Sequence, residues 1–246
     1  MDPHDPHIRQ PGGFATTHWS VVLSAGAPGG TGAEVALERL CRDYWYPLYA
    51  FLRRQGVGPQ DAEDLTQDFL ADLLRRESLQ SVDPGKGRFR SFLLVALKRF
   101  LINARERSRA AKRGGGAEHV AFDTDLAENR YLKEPSGGWS ADRIYERRWA
   151  LILLERVMTR LKSEAAGRGK SAEFEVLKVF LTAEAPSTRY AEAGSVVGLT
   201  ENAARVAVHR LRRRFRELFR EEIAHTVSRP EDIDDEIRHL LAALGE

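Results

Sequence analysis

A single cysteine, Cys41, leaves no partner for an internal disulfide and rules out a multi-cysteine zinc site. Its setting, Leu40-Cys41-Arg42-Asp43-Tyr44-Trp45, reads as a buried structural thiol. No apolar run approaches the roughly 18–20 residues that a membrane span needs. The N-terminus, MDPHDPHIRQPGG, lacks the basic start and apolar core of a signal peptide. Net charge is only +2, so any affinity for nucleic acid must rest on local patches. Strand alternation and internal repeats are missing as well. The expectation is a soluble, cytoplasmic, all-α chain with no catalytic set, no cofactor and no metal. His4 and His7 are read as part of a solvated tail.

Its most informative stretch is Thr188 to Phe219, TRYAEAGSVVGLTENAARVAVHRLRRRFRELF. A helical run over 190–197 stops at Gly198-Leu199, and Thr200 offers an oxygen to cap a second helix. In that helix Ala204, Val208, Leu211, Phe215 and Leu218 form one apolar stripe. Arg205, His209, Arg212, Arg216 and Arg220 follow the same rhythm on another face, with Arg210, Arg213 and Arg214 beside them. Two helices joined by a short Gly-containing turn, the second one basic, describe a helix-turn-helix fitted to a major groove. An ordinary helical hairpin with a solvated face is the plainer alternative, but such faces usually mix signs of charge.

Upstream, a helix is expected from Ala33 to Arg54, kinked or broken at Pro47, with the aromatics Tyr44 to Phe51 in the core. DAEDLTQDFLADLL (61–74) places Asp61, Asp64, Asp68 and Asp72 on one helical face and Leu65, Phe69 and Leu73 on the next. A metal, a solvated face and a docking strip for a basic protein are the three readings. Gly85-Lys86-Gly87 lacks the spacing of a phosphate loop. The segment 89–109 starts apolar and ends basic, with Lys98, Arg99, Arg105, Arg107 and Arg109, then Lys112 and Arg113. Near Phe89, Phe92 and Phe100 it suits DNA backbone contact with base stacking, unless those rings belong to the core.

Composition divides the chain into an arm (1–32), a helical domain (33–113) and a polar linker (114–140) that begins at Gly114-Gly115-Gly116 and holds at most one short helix. A second helical domain (141–227) and an acidic tail (228–246) follow. In the tail, Arg229-Pro230 should end the long helix. Ile233, Ile237, Leu240, Leu241 and Leu244 then form the stripe of a last helix too short to stand alone in water. That helix is expected to fold back on 141–227 and compete with DNA for the Arg-rich helix.

These segments together resemble a bacterial RNA polymerase sigma factor of the sigma-70 family, in the small extracytoplasmic-function (ECF) class. The resemblance rests on Tyr46-Pro47-Leu48, on Asp61 to Gln67 and on Phe89-Arg90-Ser91-Phe92-Leu93 for region 2. For region 4 it rests on Tyr190-Ala191-Glu192, Gly198-Leu199-Thr200 and His209-Arg210-Leu211-Arg212. It implies two small helical domains, region 2-like and region 4-like, joined by a flexible linker. The implied partners are core RNA polymerase and promoter DNA, with an anti-sigma factor as a further candidate and no membrane.

The same resemblance assigns roles. Asp61, Asp64, Leu65, Gln67 and Asp68 would dock on polymerase. Arg88, Phe89, Phe92, Lys98, Arg99 and Asn103 would meet the minus-10 strands. Arg189, Thr200, Glu201, Asn202, Arg205, His209, Arg210 and Arg213 would read the minus-35 element. Two departures stand out: Lys98-Arg99 where an Arg-Asn pair is usual, and Gly194 where Ala is usual, at up to about 1 kcal/mol of helix propensity. A helix-turn-helix regulator that works without polymerase is the alternative. A DNA-acting enzyme such as a recombinase would need a Ser or Tyr nucleophile among arginines, or a metal-binding carboxylate cluster.

Overall fold

A computed structural model describes residues 31–75, 88–110, 124–134, 138–181, 187–227 and 229–245. Among them every regular element is helical, as the sequence leads one to expect. The expectations for residues 1–30, for Gly85-Lys86-Gly87 and for Gly114 to Gly116 lie outside the described residues. So do those for the side chains of Cys41, Arg105, Arg107, Arg109, Lys112 and Arg113.

Helix α1 (Thr31–Arg54) runs through Pro47, so the break that the sequence allowed there does not occur. Pro inside a helix costs about 3 kcal/mol. Here the residues around it, Tyr44, Leu48, Tyr49, Phe51 and Leu52, are all buried. At about 1.5–3 kcal/mol for each buried apolar side chain, packing outweighs the missing hydrogen bond. Helix α2 (Pro59–Arg75) starts on Pro59, where a missing N–H is harmless, and turns Ala62, Phe69, Leu70 and Leu73 inward. Helix α3 (Phe89–Ala110) buries Phe89, Leu93, Leu94, Leu97 and Phe100 and leaves Val95 and Ile102 exposed.

A short helix, α4 (Thr124–Tyr131), occupies the expected linker. Its Glu128 accepts from Arg53 Nε at 2.8 Å, Arg53 Nη2 at 2.7 Å and the Tyr49 hydroxyl at 2.6 Å. Just beyond it, buried Glu134 accepts from the Tyr46 hydroxyl at 3.0 Å and pairs with Arg148. Polar residues that look like slack in the sequence thus tie this segment to α1.

Helix α5 (Ala141–Gly167) is capped by Ser140, whose hydroxyl accepts from the Arg143 N–H at 3.2 Å. It lies along α1. Trp149 stacks on Tyr44 with centroids 4.6 Å apart, and Phe89 of α3 meets the same Tyr44 edge-on at 5.2 Å. One apolar cluster therefore runs from Tyr44 through Trp149 and Leu153 to Leu218 and Leu240. Helix α6 (Ser171–Leu177) and a 3-10 turn (Lys178–Phe180) lead to α7 (Ser187–Val196) and α8 (Glu201–Ala224). Leu177, Phe180, Tyr190 and Val208 form a second, smaller cluster beneath that pair.

Helix α8 ends at Ala224, well before Pro230. The Thr226 hydroxyl and its backbone N–H both donate to the Ile223 carbonyl at 2.8 Å, which closes the helix. After a 3-10 turn (Pro230–Asp232) comes α9 (Ile233–Leu244), packed on α5 and α8. Leu240 and Ala243 are buried and Ile233, Ile237 and Leu244 half-buried, whereas Leu241, assigned to the apolar stripe, is exposed.

Gly194 is explained by a close approach rather than tolerated as a defect. A Cβ there would lie 2.7 Å from the Leu199 carbonyl oxygen and 3.3 Å from Ala204 Cβ. Gly194→Ala should therefore lower the thermal midpoint although it raises helix propensity, because overpacking of about 1–3 kcal/mol exceeds that gain. An unchanged or raised midpoint would refute the reading.

Glu128 gives a pH-dependent counterpart. Its hydrogen bonds from Arg53 hold its pKa below the ordinary 4.5. A carboxylate depressed in the folded state adds stability above its unfolded pKa and loses it as pH falls through the folded value. The midpoint difference between parent and Glu128→Gln should be full at neutral pH and close below about pH 4.5, as thermal melts across pH would show.

Candidate nucleic-acid and polymerase interfaces

Gly198, at φ +71°, makes the left-handed turn between α7 and α8 that an L side chain rarely adopts. Thr200 then caps α8 as expected: its backbone is extended and its hydroxyl accepts from the Ala203 N–H at 3.3 Å. Ala204, Val208, Leu218 and Phe219 bury one side of α8. The opposite side exposes Glu201, Asn202, Arg205, His209, Arg210 and Arg213, with exposed Arg189 on α7 and Thr200 at the turn. All eight residues expected to read the minus-35 element are thus solvent-facing. Arg205 is pre-oriented: it pairs with Glu201 at 2.9 Å and lies over the Tyr190 ring, 5.1 Å from its centroid.

Not every arginine of this helix belongs to that face. Arg212 Nε donates to the Phe180 carbonyl at 2.9 Å. Arg214 pairs with Glu164 of α5 at 2.8 Å, with Glu217 at 3.1 Å and with Glu221 at 3.3 Å. The Arg214 bond depresses the Glu164 pKa, and Glu164 in turn raises that of Arg214. These two arginines hold α8 to its support, which corrects the impression of an arginine run without acidic partners. Between α5, α6 and α8 lies an open cleft of about 690 Å³ lined by Leu161, Phe174, Leu177, Val206 and Arg210 among others.

On α3 the expected minus-10 residues separate. Lys98, Arg99 and Asn103 are exposed on one face with Val95 and Ile102. Lys98 also pairs with Asp142 at the start of α5. Phe89 is 1% exposed and belongs to the core. Phe100 is buried, edge-on to Phe69 at 5.7 Å, and Phe92 is half-buried with its ring 6.0 Å from Phe89. The rings the sequence offers for base stacking are therefore packed inward. Arg88 stands apart at the head of α3, paired with Glu236 of α9 at 2.6 Å.

On α2, Asp61 and Asp68 are exposed and Asp64, Leu65, Gln67 and Asp72 half-buried, along one edge. Thr66, between them in sequence, is buried, and its hydroxyl donates to the Ala62 carbonyl at 2.6 Å. Gln67 Nε2 donates to Glu63 at 3.1 Å. Among the described residues no group of three or more His, Cys, Asp or Glu side chains is placed to hold a metal ion.

Residues 40–111 match the family model of sigma-70 region 2. The matched segment takes in the second half of α1, all of α2 and all of α3, so it contains both the acidic edge and the basic α3 face. The match supports a sigma-70 relationship for this part of the chain and leaves the helix-turn-helix outside it. No curated protein and no solved structure matches the chain. Among the described residues no helix is long and apolar enough to cross a membrane.

Proposed function

We propose that the chain is a sigma factor of the small ECF class, binding core RNA polymerase and directing promoter-specific initiation in the cytoplasm. One observation carries the reading: a region 2 match and a capped helix-turn-helix with a basic outer face occur in the same chain. In this reading residues 33–113 dock on polymerase and meet minus-10 DNA, 114–140 connect, and 141–227 read the minus-35 element. The face of α3 that carries Lys98, Arg99 and Asn103 supports backbone contact and strand separation. The acidic edge of α2 supports docking on a basic surface of polymerase. Run-off transcription with core polymerase on a promoter library tests the proposal; no promoter-dependent transcript would reject it.

Reversing Asp61, Asp64 and Asp68 together to Lys should abolish capture of core polymerase while leaving duplex minus-35 binding by α8 intact. Pull-down and fluorescence anisotropy measure the two. Unchanged polymerase capture in a folded triple variant would remove α2 from the docking surface.

Arg205 and Arg213 should divide their work. In this reading Arg205, in the first turns of α8 and steadied by Glu201 and Tyr190, contacts a guanine edge. Arg205→Ala should cost about 1–3 kcal/mol at one promoter position and relax specificity there. Arg213 lies two turns on, exposed and paired with Glu217 at 3.6 Å. Arg213→Ala should weaken all sequences alike and lower the salt slope by about one unit. Equal effects of both substitutions on every promoter variant would contradict this division.

A further inference from the structure

Glu236 of α9 is fully buried, yet it is a carboxylate. It accepts from Arg90 Nε at 2.8 Å and Arg90 Nη2 at 3.2 Å, and pairs with Arg88 Nε at 2.6 Å. Arg90, itself 1% exposed, pairs further with Glu146 of α5, and His239 of α9 approaches the same Glu146 at 3.3 Å. The Tyr145 hydroxyl donates to the Arg90 carbonyl at 2.9 Å. Three segments distant in sequence, the head of α3, the start of α5 and the C-terminal helix, thus meet on one charge cluster.

Stability alone does not call for such a cluster. Replacing a buried ion pair by apolar residues of the same size is often neutral or stabilising, and the best-attested use of buried charge is to specify or switch an arrangement. Here the guanidinium groups are fully answered only while α9 is seated. Glu146 and Glu236 pair with them directly, and Asp232, just ahead of α9, lies within Coulombic reach of Arg88. With α9 withdrawn, Arg88 and Arg90 face Glu146 alone, and the head of α3 becomes net positive. Arg88 already keeps 29% of its side-chain surface in water, so once Glu236 leaves, a phosphodiester could take the place of the carboxylate.

A guanidinium answers a phosphate much as it answers a carboxylate. The rest of α9 suits a detachable strap. Outside the cluster its polar contacts with other elements are exposed and of small worth: Arg220 pairs with Asp234, and Arg143 Nη2 of α5 donates to the Gly245 carbonyl at 3.2 Å. Its apolar hold rests on Leu240 and Ala243 together with half-buried Ile233, Ile237 and Leu244.

We propose that α9 is an intramolecular competitor of DNA: Glu236 occupies a phosphate-binding position at Arg88, on the head of α3, and yields it when DNA is engaged. The inference rests on the sigma-factor reading, in which α3 meets promoter DNA. It moves the target of the tail from the Arg-rich α8 to the head of α3.

The test uses the full chain without polymerase and a labelled fork DNA, duplex upstream and single-stranded downstream, followed by anisotropy across salt concentrations. Glu236→Gln should tighten fork binding by about tenfold at low salt, the worth of one charge-assisted hydrogen bond. It should steepen the slope of log K against log salt by about 0.7–0.9, one added phosphate contact. Adding Arg88→Ala to that variant should cancel both changes. Glu236→Asp, which keeps the charge but withdraws it by one methylene, is the milder variant should Glu236→Gln fail to fold; it should shift affinity in the same direction by less. Binding equal to the parent in whichever variant is folded, or a gain that survives Arg88→Ala, overturns the proposal. Run-off transcription by the parent chain is scored separately. A chain that initiates normally while its Glu236 variants bind fork DNA like the parent loses only the competitor role. A chain that never initiates loses the sigma-factor reading, and the anisotropy series still decides whether Glu236 masks Arg88.

Discussion

The stacking of Trp149 on Tyr44 is the contact on which the other contacts depend. Tyr44 sits at the middle of α1, Trp149 at the end of the first third of α5, and Phe89 closes the same ring from α3. Each ring is buried, and aromatic contacts of this kind add about 0.5–1.5 kcal/mol beyond the area they bury. The junction sets α5 along α1, and from α5 the core continues to α8 and α9 through Leu153, Val157 and Leu161. The basic face of α8 and the acidic edge of α2 are therefore presented from one connected scaffold.

Arginine serves two purposes in this scaffold, and only environment distinguishes them. Arg212, Arg214, Arg53 and Arg148 spend their donors on a carbonyl or on carboxylates of other elements. Arg210 and Arg213 project from the exposed side of α8. A fixed guanidinium fork makes both uses efficient, because little further freedom is lost once one N–H is engaged. The consequence for the candidate interface is economy: the basic face is narrower than the arginine count suggests, and its members are spaced by helical turns rather than crowded.

The segment between the matched region and the helix-turn-helix follows similar logic. Glu128 and Glu134 reach back to α1 from a stretch whose composition is that of a linker. Gly194 illustrates the converse: a residue that looks like a weak point in a helix is the one that lets α7 approach the turn and α8. Both cases concern distances between elements, which local propensity does not encode.

Periodicity by itself determined the helices. Their order, the Thr200 cap, the apolar side of α8, the solvent exposure of its Arg205-to-Arg213 face and the acidic edge of α2 all follow from spacing along one helix at a time, because a 3.6-residue repeat fixes faces without reference to a partner. Tertiary structure alone decided the fate of the residues that spacing left open. Phe89 and Phe100 went to the core, Pro47 was carried through by its buried neighbours, and Arg214 was claimed by Glu164. The head of α3 was covered by Glu236, 146 residues from Arg90. Sequence spacing cannot announce such pairings, since a charge cluster drawn from three distant segments exists only once the apolar core has brought them together.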